Sequence, residues 1–122
     1  MPAFKIAVIG GDGIGPEVID QAVRVLEVVT KKANASFTWN KLPWSAINYE
    51  KTGVMVPDDG WDLLKKHDAI FLGAVGHPSV SDHIPVHGLL LPMRRMFDQY
   101  VNLRPTYLYE GVDSPLRDKA PS

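Results

Sequence analysis

The chain has 122 residues, 45% of them apolar, and its 13 basic and 14 acidic side chains leave a formal net charge of −1. That is enough apolar chain for one domain with a real core, burying roughly two-thirds of the surface its unfolded form exposes. The charge balance argues against a nucleic-acid or membrane-surface partner, and the absence of cysteine excludes disulfides, thiol catalysis and thiolate-bound metal.

In chain order, "FKIAVI" (Phe4 to Ile9) is a β-branched apolar run closed by Gly10 and Gly11, which reads as a buried strand and a turn. The run is too short and too soon broken by glycine for a signal peptide, and nothing downstream approaches a membrane span. A cytoplasmic setting is the expectation. A helix is predicted from near Pro16, with Glu17 at its positive end and Lys31 and Lys32 at its carbonyl end. Ile19, Ala22, Val23, Leu26 and Val29 or Thr30 form its apolar stripe, and Asn34 stops it. Strand, glycine turn and helix make the opening of an α/β fold.

"SFTWNKL" (Ser36 to Leu42) alternates as a strand exposed on one face. Short helices are predicted in "WSAINYEKTG", ended by Gly53, and in "PDDGWDLLKKH", where Trp61, Leu64 and Lys65 would share a face. Ala69 to Leu72 form a continuous apolar strand expected to have a strand on each side. Residues 77–88 read as a loop, followed by a helix that starts within Leu89 to Met93 and continues to Tyr100. "VNLRPTYLY" is predicted as a fourth strand with Asn102 and Arg104 on one side.

"GGDGIG" fails the dinucleotide fingerprint. Counting from Gly11, the last required glycine falls on Pro16; counting from Gly13, it falls on Val18. No Gly-Lys-Ser/Thr follows, so the phosphate-binding loop fails as well. What remains is a glycine turn carrying Asp12 at the carboxyl end of a strand. Two readings stay open: a turn that lines a ligand crevice, or a tight connection whose glycines relieve steric crowding.

Arginine can grip a carboxylate through two parallel hydrogen bonds. Arg94 on a helix and Arg104 on the next strand could therefore converge on one small polyanion, while Arg95 points elsewhere. The competing reading is two surface arginines in weak ion pairs. His77, His83 and His87, spaced six and then four apart, match no closed metal motif.

"GDGIGPEV" (Gly11 to Val18), "DAIFLGAVG" (Asp68 to Gly76) and "LLLPMRRMFDQYVNLRP" (Leu89 to Pro105) together resemble the amino-terminal part of the metal-dependent β-decarboxylating dehydrogenases. This is the isocitrate/isopropylmalate family, and the resemblance lies nearest its tartrate and D-malate branch. It implies an isopropylmalate dehydrogenase-like layered α/β fold, with mostly parallel strands flanked by helices. Residues 1–122 would then be an incomplete first portion, with elements from about 4 to 108 and an irregular tail at 109–122.

The resemblance also implies roles. Arg94 and Arg104 would bind substrate carboxylates and Leu90 would line the substituent pocket. Asp12, Gly13 and Ile14, with Ala74, Val75, Gly76 and His87, would border NAD. A divalent Mn²⁺ or Mg²⁺ would be held by ligands beyond residue 122, and a monovalent cation is compatible. Catalytic and metal-binding residues would also lie beyond residue 122, leaving this chain alone inactive.

The full-length protein would be a homodimer that oxidises a malate-like 2-hydroxy dicarboxylic acid with NAD, decarboxylating it where applicable. His87 and Gly88 stand where isopropylmalate enzymes carry an acidic residue, and leucines stand where isocitrate enzymes present serine and asparagine. Tartrate or D-malate is therefore favoured. The alternatives are 3-isopropylmalate dehydrogenation and a non-catalytic interaction module that keeps part of the scaffold.

Overall fold

A computed structural model of the chain describes residues 1–116. Three parallel strands, β1 (Ala3–Gly11), β2 (Ser36–Leu42) and β3 (Ala69–Ala74), form a sheet in the order β2-β1-β3. Ile6 of β1 pairs with Trp39 on one side and Ala69 on the other. The expectation that β3 is flanked on both sides is therefore corrected: β1 is central, and β3 pairs only with β1 among the described residues. The apolar run of β3 reflects helices packed on its two faces, a cause that sequence pattern does not separate from flanking strands.

Alternation along β1 builds two cores. Ile6 and Val8 face helix α1 (Ile14–Lys32), where they pack with Ile19, Val23, Phe37, Trp39 and Phe71. Ala7 and Ile9 face the opposite way, into a cluster with Leu42, Trp44, Met55, Leu64, Leu89 and Met93. That second face is covered by α2 (Ala46–Thr52), α3 (Gly60–Leu64) and the last helical segment.

Helix ends follow local chemistry. The α1 stripe closes on buried Thr30 and leaves Val29 exposed, and the Thr30 hydroxyl donates back to the Leu26 carbonyl. Asn34 takes a positive φ, and the N–H groups of Asn34 and Ala35 return to the carbonyls of Lys31 and Thr30. This stop satisfies carbonyls the helix would leave unpaired. Gly53, at φ 74°, ends α2 as expected. Lys65 does not share a buried face with Trp61 and Leu64; it is exposed and pairs with Asp62 at 2.9 Å.

The loop expected at residues 77–88 is corrected in its second half. Helical chain begins at α4 (His83–Pro85), passes through a π-turn (Val86–Leu90) and continues as α5 (Leu91–Met96). Pro92 has no N–H for the Gly88 carbonyl, and the Leu91 N–H reaches back five residues to Val86. The helix stops at Met96 rather than Tyr100. Asp98 adopts φ 47°, and Asp98 and Gln99 donate to the carbonyls of Arg95 and Arg94.

The fourth strand does not form: residues 101–109 carry no strand pairing. Val101 and Leu103 are 70% and 84% exposed, so the alternating pattern has no surface to pack against. Pro105 also offers no donor to a ladder. Among the described residues, no helix is long and apolar enough to cross a membrane.

Candidate functional site

The outgoing connections of β1 and β3 diverge. β1 leads to α1 on one face of the sheet, while β3 leads toward the helical segment packed on the other. Such divergence opens a crevice at the carboxyl ends of parallel strands, the usual ligand position in open α/β sheets. Gly11 is paired with Ala74 there. It adopts φ 78°, and a Cβ on it would collide with the Ala74 carbonyl. A side chain on Gly15 would overlap the Gly10 carbonyl oxygen. The glycines thus let three backbone segments meet where side chains would hold them apart.

Asp12 ties this junction together. It is only 3% exposed, and its backbone N–H donates to the Ala74 carbonyl at 2.7 Å. Its carboxylate accepts from the N–H groups of Ala46 at 2.7 Å, Ile47 at 3.0 Å and Gly76 at 3.0 Å. Ala46 and Ile47 begin α2, where helical N–H groups lack intrahelical acceptors; the Ser45 hydroxyl takes the Asn48 N–H at 3.0 Å. Burial by itself would raise the Asp12 pKa. The three N–H donors and the neighbouring His77 outweigh it and hold the carboxyl below its ordinary value.

Asp12 is therefore the residue that joins β1, α2 and the loop after β3. Around it the rim is open: Gly13, Ile14, Ala74 and Gly76 are exposed and Val75 is half-buried. His87 is exposed as well, in the π-turn between α4 and α5. The loop after β3 encloses a shallow recess of about 480 Å³ lined by Gly76, His77, Pro78, Val80, Ser81 and Asp82.

A second recess, about 220 Å³, lies between β3 and α5. Ile70, Leu72, Leu90 and Met93 supply apolar lining, and Arg94, Gln99 and Asn102 supply polar groups. Leu90 and Arg94 are four residues apart, the spacing that places side chains together on one helical face. Neither Arg94 nor Arg104 forms an ion pair within the described residues. Arg104 does not line the recess and is exposed on the unpaired segment. The structure thus brings Leu90 and Arg94 together and leaves Arg104 outside, two residues beyond Asn102. Sequence reading did not single out Gln99, because its position depends on the turn at Asp98.

The sequence matches the family described as Isocitrate/isopropylmalate dehydrogenase over residues 5–122. It is 49% identical over 122 residues to a probable tartrate dehydrogenase/decarboxylase of Agrobacterium vitis, covering 99% of this chain and 34% of that protein. It is 45% identical over 123 residues to the decarboxylating D-malate dehydrogenase of Escherichia coli K12, with the same coverage. A 3-isopropylmalate dehydrogenase of Corynebacterium efficiens is 48% identical over 116 residues, covering 94% of this chain and 33% of that enzyme.

Among solved structures, a β-decarboxylating dehydrogenase of Thermococcus kodakarensis superposes with a TM-score of 0.58 at 32% identity. It covers 80% of this chain and 27% of that one. The layered arrangement of parallel strands and flanking helices is therefore the isopropylmalate dehydrogenase-like one expected. The chain spans about a third of the length of the curated relatives it matches.

Proposed function

We propose, for a chain that belongs to the isocitrate/isopropylmalate dehydrogenase family, that the full-length protein oxidises a malate-like 2-hydroxy dicarboxylic acid with NAD. Tartrate or D-malate is the favoured substrate. The observation that carries this reading is the recess where Arg94 stands beside the apolar wall of Leu90, Ile70 and Leu72. A guanidinium fork can bind one carboxylate through two hydrogen bonds. The apolar wall beside it meets the carbon skeleton, and a small recess favours a small substituent.

Bound NAD would supply the acceptor for the C2 hydride, with the hydroxyl proton passing to solvent; where the 2-oxo acid carries a β-carboxylate, carbon dioxide would leave, the C–C bonding pair would pass to the enolate, and a proton from solvent would restore the keto acid. This chain's share is binding and orientation. Arg94 fixes the carboxylate, and Gln99 and Asn102 supply hydrogen bonds from the same recess. Arg104 adds a second fork when the segment after Asn102 is held against β3 by the rest of the protein. Holding the acid in one pose serves hydride transfer directly, because the reacting atoms must stay close and aligned.

Gly13, Ile14, Ala74, Val75, Gly76 and His87 border NAD, and Asp12 holds that rim in place. Its own carboxylate is already committed to three N–H donors. No group of three or more His, Asp or Glu side chains that could hold a metal ion occurs among the described residues. The same proposal includes a homodimer of the full-length protein and a cytoplasmic location.

The test is an assay of the full-length protein with D-malate, L- and D-tartrate and 3-isopropylmalate, in the presence of NAD and Mn²⁺, following NADH absorbance. D-malate or a tartrate should give the highest kcat/KM. Preference for 3-isopropylmalate would overturn the substrate assignment, and no NAD reduction with any of the acids would overturn the function.

A further inference from the structure

We infer that His83 and His87 form a two-imidazole site for a divalent transition-metal ion such as Ni²⁺, Cu²⁺ or Zn²⁺. The two residues are four apart across α4 and the π-turn, and their rings lie with centroids 4.2 Å apart and planes inclined by 34°. Imidazole nitrogens bind zinc at about 2.0–2.1 Å, so two of them on one ion stand roughly 3 Å apart. Rings whose centroids are this close can each bring one nitrogen to a shared ion through side-chain rotation. Histidines at this helical spacing are a recurring way to place two ligands on one face.

The other two histidines are engaged differently. The ring nitrogens of His67 meet the Asn40 amide at 3.1 Å and the Leu63 carbonyl at 3.0 Å, and His77 meets the Ser79 hydroxyl at 2.7 Å. Among the described residues no hydrogen bond occupies the rings of His83 or His87, and both residues are exposed. An ion can therefore reach the pair without displacing a protein partner, and water completes its coordination.

The chemical class follows from the donors. Imidazole suits nickel, copper and zinc, whereas magnesium and manganese favour carboxylate, carbonyl and water oxygen. A bound ion cross-links the residues on either side of Pro85 and stiffens the π-turn that leads to Leu90 and Arg94. His87 is also proposed above to border NAD, so the metal is titrated in the absence of NAD, and the readout is metal binding rather than dehydrogenase activity.

The experiment is calorimetric titration of the 122-residue chain with NiCl₂, CuCl₂ and ZnCl₂, and with MgCl₂ as the contrast. The first three should bind at one ion per chain and MgCl₂ should not. His83→Ala and His87→Ala should each weaken binding by roughly tenfold or more, through loss of one of two ligands. His67→Ala and His77→Ala should leave it unchanged. Circular dichroism of every variant without metal checks that the fold is kept. If either pair variant loses the fold, His83→Gln and His87→Gln replace it. Absence of binding by the unaltered chain, or binding that survives in the folded double variant, overturns the inference.

Discussion

Asp12 and Arg94 are both charged and both sit where β1 or β3 meets the helices, yet their surroundings are opposite. Asp12 is buried and its carboxylate faces three backbone donors. Arg94 is exposed at the rim of a small recess and has no ion-pair partner among the described residues. A buried charge with every contact supplied by the protein holds the fold together. An open charge beside an apolar wall has its binding capacity free for a ligand. Position in the crevice alone does not distinguish these two jobs; the state of the hydrogen-bond partners does.

The strongest way to break this comparison is Asp12→Ala. It would leave the buried N–H of Ala46 and the part-buried N–H groups of Ile47 and Gly76 without an acceptor; at roughly 1–3 kcal/mol for the buried group and less for the two that water can reach, the loss should reach about 3 kcal/mol. Urea denaturation of the variant checks it, and a loss below about 1 kcal/mol would mean that water replaces the carboxylate at little cost. Next in size, Arg94→Ala in the full-length enzyme should lower kcat/KM about 100-fold, the equivalent of about 2.7 kcal/mol, through loss of carboxylate grip and orientation. Arg94→Lys should recover only part of this, because an ammonium lacks the planar fork.

A smaller effect concerns acid. The Asp12 pKa is held below its ordinary value in the folded chain. Its contribution to stability is therefore complete above the pKa of an unfolded aspartate, about 3.9, and fades as pH falls through the lower folded value. Stability measured from pH 5 downward should drop less steeply in Asp12→Asn than in the unaltered chain. Smallest of all, Arg94→Ala should shift the stability of the 122-residue chain by no more than about 0.5 kcal/mol, as an unpaired surface side chain does. Thermal unfolding of that variant sharpens the contrast, since a large shift would give Arg94 a structural partner.

A second contrast, between residues 3–96 and 97–116, shows which sequence signals were enough. β1, the glycine turn and α1 were legible because each is specified by neighbours within a few residues: an apolar run, glycines, Glu17 at one helix end and Asn34 at the other. The α2 stop at Gly53 was legible for the same reason. The start of the last helix was obscured by Pro78, Pro85 and three histidines, which resemble loop composition. The structure keeps Pro85 inside the first helical turn and absorbs Pro92 in the π-turn.

"VNLRPTYLY" carries strand alternation without being a strand. A strand exists only when another backbone meets its N–H and C=O groups, and side-chain pattern cannot supply that partner. The same reason separates Arg94, found with Leu90 on one helical face, from Arg104, expected beside them only if the strand had formed.

The amino-acid sequence by itself determined the α/β character, the carboxyl ends of α1 and α2, the failed dinucleotide fingerprint and the motifs that place the chain in its family, because all of these depend on short-range spacing. Tertiary structure alone decided that β1 is central, that the Asp12 carboxylate is spent on α2 and the loop after β3, and that Arg94 opens onto a recess. Those outcomes depend on which distant backbone groups come within hydrogen-bond reach, as Asp12 and Ala46 do from 34 residues apart.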